Sequence, residues 1–145
     1  MDTQIDIKKH KLEDELDKIK LLKTKYYNCF KNLKKYNTVC KICVNILNAV
    51  SISSLVMTYT PISHVCLIIG LASTTLSTII SVFSSSYGFD NKISTHQTTA
   101  LQYADLYRDI QAKLLKNHLT SDQCDIIIAE LNIRLSLIED SSLPI

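Results

Sequence analysis

Glycine and proline are almost missing from this chain: each occurs twice in 145 residues, and tryptophan does not occur at all. These two residues are the usual punctuation of tight turns, so a fold built of many short strands is excluded. Long periodic segments should be helices, and an all-α fold is expected. Charge is missing in a more localised way. Charged residues make up 21% of the chain, yet the 48 positions between Lys41 and Asp90 hold no Asp, Glu, Lys or Arg. An even scatter would place about ten charges there. The net charge of +2 is too small to point to nucleic acid. The uncharged block follows a highly charged segment, which does not match a cleavable secretory signal.

A disulfide framework is also missing. Cys29, Cys40, Cys43, Cys66 and Cys124 are odd in number and irregular in spacing, so a reducing compartment is expected. Cys40 and Cys43 have redox or metal spacing, but no second pair and no nearby histidine completes a site. Small apolar positions on a helix are the simpler reading, with reversible acylation as the alternative. His10, His64, His96 and His118 are scattered, and there is no phosphate loop, dinucleotide turn or nucleophile elbow. No enzyme activity, cofactor or metal is expected.

What is present is helical periodicity. Leu12, Leu16, Ile19, Leu22, Tyr26, Cys29, Leu33 and Tyr36 recur at spacings of three and four, the pattern of one helix face. Residues 1–39 therefore read as a long amphipathic helix. Its acids, Glu13, Asp14, Glu15 and Asp17, cluster early, whereas Lys18 to Lys41 contain eight lysines and no acid. Lys31, Lys34, Lys35 and Lys41 are the expected contacts with anionic headgroups. A plain solvated face is the other reading.

The hairpin region, 40–88, contains apolar runs at about 42–60 and 65–85, each near the ~20 residues that cross a ~30 Å hydrocarbon core. The short connection from Pro61 to His64 makes them an antiparallel hairpin. Lys41 and Lys92 flank it and the turn carries no lysine or arginine, so the positive-inside bias puts both termini in the cytoplasm. An all-apolar helix can also be the centre of a soluble bundle. Here the flanks supply three helices, where roughly six neighbours would be needed to surround two. A multi-pass membrane protein that self-associates is the expectation, and a soluble self-associating bundle the alternative.

Within the second run, Gly70, Ser73, Ser77, Ser81, Ser84 and Gly88 share an arc of about 80° on a helical wheel. Ile69, Leu71, Leu76, Ile79, Ile80, Val82 and Phe83 lie opposite. Small residues repeated every four positions let helices in lipid approach closely. The stripe either packs on the first run, or faces other subunits and lines a polar path. The first run has a looser polar side of Asn45, Asn48, Ser51, Ser54 and Thr58. Asn45 and Asn48 should face protein or water, because an unpaired amide in hydrocarbon is costly.

In region 89–145, His96, Ala100, Tyr103, Tyr107, Ile110 and Leu114 follow a heptad spacing and form the expected cytosolic interaction seam. "NHLTSDQ" (Asn117 to Gln123) breaks this helix, and Thr120 with Gln123 has the form of a capping box. The last helix presents Cys124, Ile128, Leu131, Leu135 and Ile138 and stops before Pro144. Two amphipathic helices should thus pack on each other and on the N-terminal one.

A basic amphipathic lead-in, a two-span hairpin, then "STHQTTALQYADLYRDIQAKLL" and a final helix closing in "LNIRLSLIEDSSLPI" resemble the SLATT superfamily. His96, Ala100, Tyr103, Leu106 and Ile110, with the segment from Leu137 to Pro144, carry the resemblance. It implies a pore-forming or membrane-perturbing effector without catalytic residues, of a kind found in bacteria, eukaryotes and large DNA viruses. Richness in Lys, Ile and Asn suits an AT-rich genome such as that of a virus. The expected function is therefore an oligomeric two-span effector with the bilayer as its partner. The alternative is a structural membrane protein, for example viral, whose cytosolic helices bind a protein complex.

Overall fold

The computed structural model describes residues 2–57, 63–115 and 120–144. Pro61 and Ile62 of the expected turn, Thr58 of the first run, and His118 with the start of the "NHLTSDQ" break lie outside the described residues. Every element among them is helical: α1 (Asp2–Val56), α2 (Ser63–Tyr87), α3 (Phe89–Leu114) and α4 (Ser121–Ser141). The all-α expectation holds. The N-terminal amphipathic helix does not stop near residue 39 but runs on to Val56 as part of one 55-residue helix. No glycine or proline occurs before Pro61, so nothing in the sequence interrupts it.

Compactness divides the chain elsewhere: one unit comprises Met1–Lys31 with Lys92–Ile145, the other Asn32–Asn91. In the first unit, α1 contributes Leu12, Leu16, Ile19 and Tyr26 to a core completed by Ala100, Tyr103, Leu106 and Ile110 of α3 and Ile127, Leu131 and Ile138 of α4. Burying such stripes supplies most of the stability of helices this polar on their outer faces. Thr120 caps α4 as expected: its hydroxyl accepts from the Gln123 backbone N–H, and the Gln123 side chain accepts from the Thr120 N–H. Lys8 meets Asp125 at 2.6 Å, Lys113 meets Glu130 at 2.7 Å and Arg134 meets Asp109 at 2.9 Å, so ion pairs fringe the core. The hydroxyl of Tyr26 lies 3.0 Å from Ser142 Oγ and 3.2 Å from the Leu143 carbonyl, which holds the segment after α4 against α1.

His96 is 6% exposed, its ring lies 5.7 Å from that of Tyr26, and its buried Nδ1 has no hydrogen-bond partner among the described residues. Burial pushes its pKa below the ordinary 6.5, with Lys92 adding to the effect. The unfolded chain therefore binds a proton that the folded chain resists. The contribution of His96 is fully present above about 6.5 and is lost as pH falls from there towards the folded-state value. Acidification through this window should lower the stability of the first unit, read as melting temperature against pH. His10 is shifted upward on the solvent face and works in the opposite sense. The comparison is therefore between the wild type and His96→Leu, whose profile should be flatter; equal slopes would refute the assignment.

Candidate functional site

The second unit pairs the end of α1 with α2. Four contacts fix its direction. Asn37 Nδ2 donates to Asp90 Oδ1 at 2.8 Å, Ser77 Oγ donates to Asn48 Oδ1 at 2.7 Å, and the Ser51 and Thr74 hydroxyls are 2.6 Å apart. A Cβ added at Gly70 would stand 3.3 Å from Ser54 Cβ. As residue numbers rise along α1 those on the facing segment fall, so the two helices are antiparallel. They approach closely enough at Gly70 that a side chain there would crowd its neighbour.

The polar seam is specific in its proton arrangement. Ser51 and Thr74 each have one hydroxyl hydrogen, and the Gly70 carbonyl lies 3.3 Å from the first and 2.8 Å from the second. The shorter distance assigns the Thr74 hydrogen to Gly70 and leaves Ser51 donating to Thr74. Interhelical bonds of this kind are worth about 0.6–2 kcal/mol each in an apolar medium. Asn37 is 6% exposed, so its bond to Asp90 satisfies an amide that water does not reach freely.

Of the stripe expected on α2, Gly70, Ser73 and Ser77 are buried, Ser84 is half-buried and Ser81 is exposed. Gly88 requires correction. Its φ of +66° is left-handed, its N–H bonds the Ser85 carbonyl at 3.0 Å, and a Cβ there would meet nothing within 4 Å. It is the residue that ends α2 and starts α3, not a packing position. On α1, Asn45 and Asn48 are both exposed, and Asn48 accepts from Ser77. Thr74 of α2 and Asn37 of α1 join the seam although neither was among the sequence candidates. Tyr36, expected on the inner face, is 63% exposed, and Asn37 beside it turns inward instead.

At the charged end of this pair, Cys40, Lys41, Val44, Asn45, Ser81, Ser84, Ser85 and Asp90 line an open cleft of about 430 Å³. Lys41 Nζ is 3.4 Å from Asp90 Oδ1. Lys31, Lys34 and Lys35 are exposed. Among the described residues no group of three His, Cys, Asp or Glu side chains is placed to hold a metal ion.

The outer faces of the pair are apolar. Ile42, Ile46, Ile52, Leu71, Ile79 and Phe83 are each more than half exposed. The helical stretches Ile5–Val56 and His64–Leu114 each contain a window long and apolar enough to cross a membrane, and the chain itself buries 6% and 17% of these windows.

The heptad seam, expected as a cytosolic interaction seam, packs within its own chain. His96, Ala100, Tyr103 and Ile110 are buried, and Tyr107 and Leu114 are partly buried in the core of the first unit. Residues of α1 and α4 fill the space that a partner would have occupied, because their own apolar stripes need the same cover. No protein-family model, no curated protein and no solved structure matches the chain.

Proposed function

We propose that the chain is a two-span membrane protein in which residues 32–91 cross the bilayer as a helical hairpin and both flanking segments lie on the cytoplasmic side. The carrying observation is that the apolar windows are only 6% and 17% buried by their own chain. The core helix of a soluble protein would be mostly covered, and contiguous apolar surface of this extent calls for lipid or another chain. The contact of Asn37 and Lys41 with Asp90 gathers hydrophilic groups at one end of the pair, where a headgroup layer would receive them. The lysines before α1 enters the uncharged region support the same orientation.

Its work in this reading is structural and non-enzymatic: the hairpin anchors a helical bundle to the bilayer. Ser77, Thr74 and Gly70 meet α1 within the pair, so the small-residue stripe serves the hairpin and leaves an apolar outer face for lipid. The pore-forming or membrane-perturbing activity implied by the SLATT resemblance is the second reading. It is favoured by Asn45 and Ser81, which stay exposed on the pair and would need several copies to enclose a polar path.

Alkaline carbonate extraction of membranes from expressing cells should leave the chain in the pellet. Release into the supernatant would remove both membrane readings in favour of a soluble self-associating bundle. In planar bilayers the anchor reading expects silence, and conductance that Asn45→Leu abolishes would establish the pore instead.

A further inference from the structure

Helix pairing does not account for the cleft at the charged end of the hairpin. Along α2, four hydroxyls are satisfied within the protein. Thr74, Thr75 and Thr78 donate to carbonyls four residues earlier at 2.8, 2.8 and 2.9 Å, and Ser77 donates to Asn48. Among the described residues the side chains of Ser81, Ser84 and Ser85 make no hydrogen bond, and neither does the Asn45 amide. All four line the same cleft. Each therefore keeps its hydrogen-bonding capacity for water or for a ligand.

The charges beside them are also incompletely matched. Lys41 Nζ stands 3.4 Å from Asp90 Oδ1, longer than the roughly 2.7–2.9 Å of a strong charge-assisted bond, and an ammonium has further hydrogens to give. Asp90 Oδ1 takes both Asn37 and Lys41, whereas Oδ2 has no hydrogen-bond partner among the described residues. The cleft therefore offers a cation with spare donors, a carboxylate with a spare oxygen, and hydroxyl and amide groups between.

From this we infer that the cleft binds a phosphate joined to a primary ammonium, the chemistry of a phosphoethanolamine headgroup. Lys41, Asn45 and the serine hydroxyls donate to the phosphate oxygens, and the ligand ammonium donates to Asp90 Oδ2. An isolated phosphate would meet repulsion from Asp90, and an isolated cation would meet repulsion from Lys41. A trimethylated ammonium has no N–H to give to Oδ2, and a glycerol headgroup leaves the carboxylate without a counter-charge. A volume of about 430 Å³ lies in the range of small-molecule sites. The height of the cleft at a headgroup layer rests on the membrane reading; its chemistry does not.

The test uses the full chain in micelles doped equally with phosphatidylethanolamine, phosphatidylcholine and phosphatidylglycerol of one acyl composition, with retained lipid read by native mass spectrometry. Phosphatidylethanolamine should be retained about tenfold over the other two, the size expected for one hydrogen bond to a charged group. Lys41→Gln should weaken retention of all three lipids, whose shared phosphate it meets, and Asp90→Asn should abolish the preference. The second substitution keeps an acceptor for Asn37 and so spares the helix contact. Equal retention of the three lipids, or a preference unchanged in Asp90→Asn, overturns the assignment. Free O-phosphoethanolamine competing with the lipid supports the chemistry and identifies a soluble source. Liposome flotation of the same preparation reads the membrane hypothesis separately: a chain that fails to float yet binds free O-phosphoethanolamine overturns that hypothesis and keeps the cleft.

Discussion

Replacing Ser77 with leucine should part the α1–α2 pair. The serine is 5% exposed and its hydroxyl donates to Asn48 at 2.7 Å, so the position has neither room for an isobutyl group nor a substitute donor. Overpacking of a closed interface costs about 1–3 kcal/mol. The lost interhelical hydrogen bond adds about 0.6–2 kcal/mol and leaves the Asn48 oxygen unaccompanied. Ser77→Ala separates the two effects, because alanine fits the space and removes only the bond. Spin labels at Ile46 and Ile79, on the exposed faces of the two helices, report their separation in detergent or lipid. The expected order is a broadened distance distribution for Ser77→Leu, a near-native one for Ser77→Ala, and a Gly70→Leu variant at least as disturbed as Ser77→Leu. Gly70 is the closer approach, since even a Cβ there would lie 3.3 Å from Ser54 Cβ. An unchanged distance in Ser77→Leu would mean that the seam does not hold the pair together.

The same contrast explains what could be read from the sequence. In the first unit each helix carries charge on one side and an apolar stripe on the other, so period and phase are both visible. Leu12, Leu16, Ile19, Tyr103, Ile110 and Leu131 are all buried where their spacing put them. Phase fails only where apolar residues run together. Ile126, Ile127 and Ile128 are consecutive: Ile128 packs partly buried against the core as its spacing requires, Ile127 is buried although the spacing left it out, and Ile126 is 66% exposed. In the uncharged region hydropathy has no phase at all, and only small and polar residues mark the contact side. Ser73 and Ser77 were legible for that reason. Thr74 was not, because a β-branched residue does not register as small although its hydroxyl reaches Ser51.

Two other misreadings come from extending a periodic pattern too far. The wheel that placed Gly88 on the stripe assumes a helix continuing through it, but α2 ends at Tyr87 and the glycine takes up a left-handed conformation. On α1 the three-and-four pattern reaches Tyr36 and Asn37 with no basis for choosing between them by hydrophobicity. Asp90, distant in sequence, decides it by offering Asn37 a carboxylate oxygen at 2.8 Å. The partner that selects a polar side chain is a tertiary fact, and no local spacing contains it.

Truncating Tyr103 to alanine should be the most damaging single change in the first unit, and it also distinguishes a core from an interaction surface. The side chain is 1% exposed, and its ring stacks on that of Tyr26 with centroids 5.6 Å apart. Burial is also the first cause, ahead of the neighbouring Tyr26 and Glu139, that holds its hydroxyl pKa up to about 12, so the ring stays neutral at any pH where the protein is handled. Removing a buried aromatic ring costs about 3–5 kcal/mol, partly as lost transfer energy and partly as the cavity left behind. That is a large fraction of the roughly 5–15 kcal/mol that stabilises a domain. Melting followed by far-UV circular dichroism should fall by more than about 10 °C for Tyr103→Ala. Tyr103→Phe keeps the stacked ring and should remain close to wild type. A tyrosine reserved for a partner would behave in the reverse way: its loss would leave the isolated chain as stable as before and weaken only a complex. The core position of Tyr103 between α1 and α4 makes the first outcome the expected one.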